Sequence, residues 1–370
     1  MPVSTDAPLD VRPLNSWLPL SEDGLLVISG PCSAESREQV ITTAHQLAAT
    51  GRVHVFRSGV WKPRTRPGKF EGKGEEALGW LQEVKAQTGL LTAVEVATPE
   101  HVELCHKYGV DILWIGARTS VNPFSVQEIA TALQGSDFPV LVKNPLNPDL
   151  KLWIGVIERI NRAGIQKIAA VHRGFNTYEK SRYRNAPLWE IPIELRRIFP
   201  ELPIICDPSH ISGNRNLLLP VAQQAIDLDY AGLMLESHCD PDTALTDARQ
   251  QISPRALMAL LGSLVMRSAG GTDKNPCQVL QAYRRQIDDL DHQILELLAR
   301  RMSLVEQIGA LKKENDITIL QIRRWKAIYK DRMLKGEDLS LNPAFLKSML
   351  ELVHRESIDI QNRIMNEENP

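Results

Sequence analysis

The segment PIICDPSHISGNRNLLLPVAQQAIDLDYAGLMLES, residues 203–237, has a short apolar run at each end and a longer amphipathic stretch between them. This alternation is typical of two parallel strands joined by a crossover helix. The same pattern is present from residue 25 onward and gives eight apolar runs. They are LLVISG (25–30), HVFRSG (54–59), LTAVEV (91–96), ILWIGA (112–117), PVLVKN (139–144), KIAAVHR (167–173), PIICDPS (203–209) and GLMLES (232–237).

Eight strand–helix units match the number and length of a (β/α)8 TIM barrel. An open doubly wound sheet is the alternative, but the first helix is not preceded by the glycine-rich turn of dinucleotide-binding folds. We therefore predict an α/β barrel within residues 1–267, with a last helix from Pro254 to Met266.

The character of the sequence changes after the barrel. SAGGTDKNP, residues 268–276, is polar and contains glycines, so it is predicted to be a linker. Apolar residues then recur every three or four positions from 280 to 311, which predicts one helix of roughly 46 Å. Two further helices are expected at about 320–335 and 343–366. A first helix this long predicts that the small all-α domain, residues 277–370, forms a homodimer.

Composition excludes several classes of protein. A chain of 370 residues is long for one hydrophobic core, and its net charge of −2 gives no support to a nucleic-acid or membrane-surface partner. No apolar run reaches the length of a transmembrane helix, and the N-terminus lacks the apolar core of a signal peptide. The five cysteines show no disulfide-framework spacing. We therefore expect a cytoplasmic protein.

Cations follow the strands at the edge where a barrel builds its active site. A single one could be an ordinary solvated loop residue. Several that converge on one mouth repel each other unless an anionic ligand is present, and the forked donors of arginine suit phosphate and carboxylate. The pattern predicts substrates with several negative charges. The six cations are Arg57, Lys62, Arg64, Arg118, Lys143 and Arg173.

A second set of residues at the same edge has the chemistry of metal ligands. Cys32, His210 and Glu236 follow three different strands, and Asp247 lies in the loop TALTDARQQ. Mixed sulfur, nitrogen and oxygen donors suit Mn, Fe, Co or Zn better than Mg. We expect one divalent ion per barrel, with Mn ahead of the other three. Cys32 could instead be a small buried apolar residue, and His238 is a competing ligand.

Seven motifs occur at these strand ends: GPCS, FRSGVWKPRT, IGAR, HRGFNTYEKS, DPSH, MLESH and TDARQQ. Together they resemble the type I 3-deoxy-D-arabino-heptulosonate 7-phosphate (DAHP) synthases, especially the β subgroup, over about residues 20–266. KPRT, residues 62–65, is the most discriminating motif. The related 3-deoxy-octulosonate 8-phosphate synthases share the barrel but carry a different segment there.

The resemblance implies condensation of phosphoenolpyruvate (PEP) with erythrose 4-phosphate to give DAHP and phosphate. Its implied metal ligands are Cys32, His210, Glu236 and Asp247. Its implied PEP ligands are Arg57, Lys62, Arg118, Lys143 and Arg173. The implied erythrose 4-phosphate ligands are Lys62, Arg64, Thr65 and Asp207, and the candidate proton donors are Lys62 and Glu95.

Two departures from this family are visible. The fifth strand ends in LVKNPLNP, where relatives often have Lys-Arg-Gly, so Lys143 matches but the residues after it do not. Only about 20 residues precede the first strand, so we expect no ferredoxin-like regulatory module there. Feedback control of the barrel is then expected to depend on another part of the chain.

Cations also interrupt the apolar stripe of the long helix. Arg301 lies on the stripe between Ile294 and Ile308, and Lys312 follows eleven residues later on nearly the same face. Cations on a core-facing stripe cost free energy unless an anion meets them, although they could snorkel at the end of a bundle. Arg284 is 17 residues before Arg301, about 25 Å away along the axis. Only a partner helix could bring it to the same ligand.

This pattern resembles the all-helical (AroQ-type) chorismate mutases, which form intertwined homodimers. The resemblance implies rearrangement of chorismate to prephenate, a step of aromatic amino-acid biosynthesis in the shikimate pathway. The implied catalytic residues are Arg301, Lys312 and Gln361. The implied substrate ligands are Arg324, Ser357 and Arg284 of the second protomer.

The helical domain also departs from its relatives. Gln321 and Trp325 stand where they often have an acid. A second interpretation is therefore an active synthase whose helical domain mainly dimerises and senses prephenate or chorismate. Because a site for a pathway product is fused to the barrel, we expect prephenate to inhibit the synthase.

Overall fold

The computed structural model describes residues 8–18, 20, 24–62, 68, 70–178, 181–267 and 274–366. The chain divides into two compact units, Met1–Ala269 and Gly270–Pro370. This division falls inside the predicted linker, but the first helix of the second unit begins at Lys274, so residues 274–276 are helical. Pro276 is compatible with a first helical turn, where the backbone needs no N–H donor.

Eight parallel strands form the centre of the first unit, and β8 pairs with β1 to close the barrel. The predicted (β/α)8 TIM barrel is therefore confirmed. The strands are β1 Leu26–Gly30, β2 Val55–Arg57, β3 Leu91–Val96, β4 Ile112–Ile115, β5 Val140–Lys143, β6 Ile168–His172, β7 Ile204–Cys206 and β8 Gly232–Glu236.

Nine α-helices lie within the described part of this unit, and most follow a strand. The last one ends four residues before the predicted Met266, because Gln223 of α8 binds both backbone groups of Val265 and draws the chain out of the helix. The helices are α1 Arg37–Ala48, α2 Glu75–Thr88, α3 Pro99–Lys107, α4 Pro123–Leu133, α5 Leu150–Arg162, α6 Glu190–Ile198, α7 Pro208–Ser212, α8 Leu218–Asp227 and α9 Pro254–Gly262.

The alternation of side chains along each strand separates two apolar layers. One layer fills the barrel interior and includes Val55 and Leu141, and Leu14 and Leu18 pack against it. The other lies between the strands and the surrounding helices. Residues at the strand ends, or one position before or after them, that have the parity of the interior layer therefore face the barrel mouth. They include Arg57, Glu95, Lys143, Arg173, Asp207 and Glu236.

The second unit has three helices, as predicted: α10 Lys274–Glu314, α11 Ile322–Asp338 and α12 Pro343–Asn366. Helix α10 has 41 residues, about 60 Å, and packs against α12. Much of its apolar stripe is exposed, with Ile287 at 55% and Leu290 at 56%. Within the described residues, no helix is both long enough and apolar enough to span a membrane.

Candidate active site

Three side chains from different parts of the barrel offer a compact set of metal-ligand atoms. Cys32 after β1, Glu236 at the end of β8 and Asp247 in the following loop each place one such atom within 4.8 Å of the other two. The Glu236 carboxylate is held from both sides, by Arg57 at 2.8 Å and by Gln250 Nε2 at 2.6 Å. The Asp247 Oδ2 atom lies 3.5 Å from the Cys32 sulfur. Thiol and carboxylate donors that converge in this way fit a divalent ion.

His210 faces this set without belonging to its compact core. Asp207 caps α7 by accepting a hydrogen bond from the His210 backbone N–H at 3.1 Å, which brings the imidazole to the barrel mouth. The His210 Nε2 atom then lies 3.8 Å from Glu236 Oε1. Burial lowers the pKa of His210 despite the opposing effects of Asp207 and Glu236, which favours the neutral form that ligates metals.

The competing ligand His238 lies beside a different acid. Its Nε2 atom is 3.8 Å from Glu35 Oε2, and it is outside the compact set. Because β8 ends at Glu236, strand alternation no longer sets the direction of the residue two positions later. The His238 backbone N–H instead donates to the carbonyl of Ile252.

The Cys32 thiol is fully buried, and its neighbours control its charge. Burial, followed by the charge of Glu236, raises the pKa of Cys32 to about 12, while Lys62 and Arg57 act in the opposite direction. The Lys62 Nζ atom lies 3.1 Å from the sulfur and 2.7 Å from the Cys32 carbonyl oxygen. The thiol is therefore protonated near neutral pH unless a bound cation displaces the proton.

Two of the predicted PEP ligands, Arg57 and Lys143, are buried beside the indole of Trp114, at 4.8 and 5.6 Å from its centre. Each also has a buried acid: Arg57 pairs with Glu236 at 2.8 Å, and Lys143 pairs with Asp207 at 2.9 Å. Acids of the mouth itself therefore already compensate these two cations. Their acids come from strands β7 and β8, which sequence spacing does not connect to them.

Arg173 is different. It is 7% exposed, and within the described residues no carboxylate lies within 4.0 Å of its guanidinium, which donates only to the carbonyl of Gly174 at 3.2 Å. Burial lowers the pKa of Arg173 to about 10; Asp207 opposes this effect, and the nearby Arg184 and Arg118 reinforce it. An anion bound here would relieve both the burial cost and the repulsion between the three cations.

The remaining predicted residues of the barrel fall into three groups. Glu95, the residue before the end of β3, is half-buried and accepts a hydrogen bond from Trp114 Nε1 at 3.0 Å. Arg118 is exposed after β4. Arg64 and Thr65 lie outside the described residues, so their predicted contacts stay predictions.

Three residues that contribute to this site were absent from the sequence-based set. Trp114 carries a detectable signal, because it is the aromatic residue on the interior parity of β4, next to strand β5, which ends in Lys143. Gln250 lies in the quoted motif TDARQQ but was given no role there, and Arg184 carries no signal. Both lie in loops, and their roles depend on contacts with residues distant in sequence, such as the 2.7 Å hydrogen bond between them.

In the helical unit, two predicted cations on α10 meet two predicted polar residues on α12. Arg301 donates to Ser357 Oγ at 2.7 Å, and Lys312 Nζ donates to Gln361 Oε1 at 2.9 Å. Partial burial lowers the pKa of both cations. Arg284 is exposed, and its predicted contribution to a pocket of a second protomer stays a prediction.

An aromatic pair connects α11 and α12 and includes Trp325, one of the two departures noted in the sequence. Trp325 stacks on His354 with ring centres 3.7 Å apart and planes within 8° of parallel. His354 precedes Ser357 by one helical turn, and the partial burial of its ring, followed by the charge of Arg301, lowers its pKa. The adjacent cation Arg324 is exposed.

Comparison with known proteins gives two family matches. The model of the DAHP synthetase I family matches residues 20–266, and that of chorismate mutase type II matches residues 283–362. The first family is metal-dependent, and the triad of Cys32, Glu236 and Asp247 is a possible site for the ion.

Individual relatives agree with the first match. The phospho-2-dehydro-3-deoxyheptonate aldolase of Thermotoga maritima is 34% identical over 226 residues, which cover 61% of this chain and 64% of that enzyme. The chain therefore spans less than two thirds of that relative's length. The 2-dehydro-3-deoxyphosphooctonate aldolase of Caulobacter vibrioides is 26% identical over 267 residues, which cover 66% of this chain and 88% of that enzyme.

Among solved structures, the crystal structure of the Thermotoga maritima DAHP synthase superposes with a TM-score of 0.59 at 32% identity, covering 66% of this chain and 68% of that one. A truncated form of the same synthase gives a TM-score of 0.56 at 30% identity, covering 64% of this chain and 84% of that one. The chain thus belongs to the DAHP synthetase I family, and a chorismate mutase type II domain follows its barrel.

Proposed function

We propose that the chain is a bifunctional enzyme of the shikimate pathway. Its barrel condenses PEP with erythrose 4-phosphate to give DAHP and phosphate, and its helical unit rearranges chorismate to prephenate. The observation that carries the first activity is the meeting of two features at one barrel mouth. The compact donor set of Cys32, Glu236 and Asp247 adjoins a buried cation, Arg173, that has no carboxylate within 4.0 Å among the described residues.

In the proposed synthase, Cys32, His210, Glu236 and Asp247 hold one divalent ion, with Mn ahead of Fe, Co or Zn. The bound ion supplies Lewis-acid polarisation of the sugar aldehyde. Arg173, Arg118, Arg57 and Lys143 hold the carboxylate and phosphate of PEP so that its carbon 3 faces that aldehyde. The side of the pocket formed by Lys62, Arg64, Thr65 and Asp207 holds erythrose 4-phosphate.

The proton donor of the condensation is proposed to be Lys62 or Glu95. Lys62 is supported by its position, because its Nζ atom contacts Cys32 and therefore lies at the donor set. Glu95 receives a hydrogen bond from Trp114, and the indole of Trp114 lies beside Arg57 and Lys143. Attack of water at PEP carbon 2 and departure of phosphate then complete the reaction.

We expect the purified full-length chain to release phosphate from PEP with erythrose 4-phosphate and to use arabinose 5-phosphate at least about 10-fold less well. A pocket shaped for one aldose discriminates against a longer one through contacts that are displaced or left unpaired. The measurement is kcat/KM for phosphate release with each aldose. A preference for arabinose 5-phosphate would assign the barrel to the octulosonate reaction instead.

The proposed mutase depends on cations rather than on a nucleophile. Chorismate is a dianion, and its rearrangement is accelerated by a pocket that selects the compact conformer and stabilises the ether oxygen. Lys312 and Gln361 both carry N–H groups that can donate to that oxygen. The hydrogen bond of 2.9 Å from Lys312 Nζ to Gln361 Oε1 holds the two side chains next to each other. Arg301, Arg324 and Ser357 bind the substrate from the same protomer.

The proposed homodimer completes this pocket with Arg284 of the partner subunit. Support comes from the apolar stripe of α10, where Ile287, Leu290, Ile294 and Leu297 are each more than half exposed in one protomer. An exposed apolar face of this length favours a helical partner. We also propose a cytoplasmic location, which the free thiols of Cys32, Cys105 and Cys206 support.

A second candidate function of the helical unit is sensing of prephenate, which the aromatic pair Trp325–His354 in place of an acid favours. We expect the full-length chain to convert chorismate to prephenate and saturating prephenate to lower its rate of DAHP formation several-fold. If the full chain or residues 272–370 bind prephenate but do not convert chorismate, sensing is the only function of the helical unit. A synthase rate indifferent to prephenate would remove the sensing role.

A further inference from the structure

We propose that Arg184 and Asn185, neighbours in the loop between β6 and α6, are a positioning pair that fixes three of the four proposed metal ligands. The inference rests on the proposed metal site and adds residues that neither the sequence motifs nor the donor set contain. It is carried by hydrogen bonds from these two residues to two segments of the barrel mouth, the loop after β8 and helix α7, and by one further bond from that loop to Glu236.

Arg184 connects the two carboxylates of the donor set. Its Nη1 group donates to Asp247 Oδ1 at 3.1 Å and to Gln250 Oε1 at 2.7 Å. Gln250 in turn donates from Nε2 to Glu236 Oε2 at 2.6 Å. One guanidinium therefore restrains Asp247 directly and Glu236 through a single amide.

These contacts also determine which carboxylate oxygens remain for a ligand. Arg184 takes Asp247 Oδ1, while Oδ2 of the same carboxylate lies 3.5 Å from the Cys32 sulfur. Asp247 has a positive φ of 50°, a backbone conformation that needs support from its surroundings. Fixing Oδ1 therefore orients Oδ2 toward the other donors.

Asn185 binds the segment that carries the fourth donor. Its Nδ2 group donates to the carbonyl of His210 at 2.6 Å, and its backbone N–H donates to the carbonyl of Ile211 at 3.2 Å. The side chain of Asn185 is 3% exposed, so the loss of its partner would leave a buried polar group unsatisfied. Asn185 thus anchors α7, on which the His210 imidazole is mounted.

Two glycines provide the space for this pair. A Cβ atom on Gly213 would lie 2.4 Å from the Cβ of Arg184, and one on Gly174 would lie 2.7 Å from the carbonyl oxygen of Asn185. Both glycines have a positive φ, 66° and 76°. The close approach of the loop to α7 thus depends on backbone positions that tolerate no side chain.

Hydrogen bonds at both ends of the segment that carries Arg184 and Asn185 fix it to the barrel. Phe175 and Ala186 exchange two backbone hydrogen bonds of 2.8 Å, and the buried His172 ring contacts the carbonyl of Pro187 through Nε2 at 2.7 Å. Residues that orient metal ligands need such support from the fold, because a shift of about 1 Å is enough to spoil a site.

The test is Mn²⁺ affinity, measured on the full-length chain by titration with detection of free Mn²⁺ by electron paramagnetic resonance. We expect Arg184→Gln to weaken Mn²⁺ binding by about 10- to 100-fold, the usual effect of losing an outer-shell partner. Arg184→Lys should recover part of that loss, and Asn185→Ala should also weaken binding. The matched control is Arg182→Gln, since Arg182 is exposed and donates to Tyr183 in the same loop.

Each outcome is decisive. Unchanged Mn²⁺ affinity in Arg184→Gln, with a wild-type melting temperature, overturns the proposal. A raised KM for PEP at unchanged Mn²⁺ affinity also overturns it, by making Arg184 a substrate ligand. If Arg184→Gln has a lower melting temperature than the wild type, Mn²⁺ affinity is compared in Arg184→Lys and Asn185→Ala instead. Wild-type affinity in both of these variants then overturns the proposal. Failure of the wild-type chain to bind Mn²⁺, Fe²⁺, Co²⁺ or Zn²⁺ would instead reject the metal site itself.

Discussion

Cys32→Ala is expected to lower the rate of DAHP formation by more than about 100-fold while the rate of chorismate rearrangement stays unchanged. Loss of an outer-shell partner typically costs 10- to 100-fold in metal affinity or activity, and loss of a ligand itself should exceed that. The change removes the sulfur donor of the compact set but leaves the Arg57–Glu236 pair intact. Steady-state phosphate release and the Mn²⁺ content of the purified protein are the two measurements.

Cys105→Ala is the matched control for this variant. Cys105 is also fully buried, and burial alone also raises its pKa to about 12, but it lies on α3 in the outer apolar layer. If Cys32 were only a small apolar residue, the two substitutions would have similar effects. Equal synthase rates and equal Mn²⁺ contents in the two variants would therefore remove Cys32 from the proposed ligand set.

The positions of these donors were predictable because a barrel converts sequence into geometry by a simple rule. Every strand end of interior parity faces the same mouth, so finding eight apolar runs placed Arg57, Lys143 and Glu236 together. The ion-pair partner of each of these residues was not predictable from the sequence. Arg57 and Glu236 are 179 residues apart, and their contact depends on strand register and side-chain reach.

Contacts between residues in loops were even harder to predict from the sequence. Arg184 contacts Asp247 across 63 residues, and both positions lie in irregular segments for which sequence periodicity gives no register. The expectation that the mouth binds an anionic ligand stays a prediction. It now depends on Arg173, since the buried acids Glu236 and Asp207 already compensate Arg57 and Lys143.

In the helical unit, helical periodicity predicted which site residues share a helix face, which strand parity in the barrel could not do for the loops. The 3.6-residue repeat placed Ser357 and Gln361 on one face of α12, and both meet the predicted cations of α10. The stacking of Trp325 on His354 was not predictable, because it depends on how α11 packs against α12. The proposed contribution of Arg284 from a partner subunit stays a prediction.

Arg301→Gln is expected to lower kcat/KM for chorismate rearrangement by about 100- to 1,000-fold, the usual effect of removing one preorganised donor from a developing negative charge. Arg301 donates to Ser357 at 2.7 Å, so it is already oriented toward α12 before any substrate binds. Prephenate formation followed by absorbance gives the rate. The rate of DAHP formation without prephenate should stay at the wild-type value, because the barrel is a separate compact unit.

Arg300→Gln is the matched control, since Arg300 is exposed on the same helix one residue earlier and faces a different direction. Arg301→Gln should also abolish the proposed inhibition of the synthase by prephenate, because one pocket serves both chorismate and prephenate. A variant that loses turnover yet keeps full inhibition would show that prephenate acts at another site. Wild-type turnover in Arg301→Gln would place the chorismate pocket away from the contact between α10 and α12, since a dianion bound there cannot be indifferent to the loss of its cation.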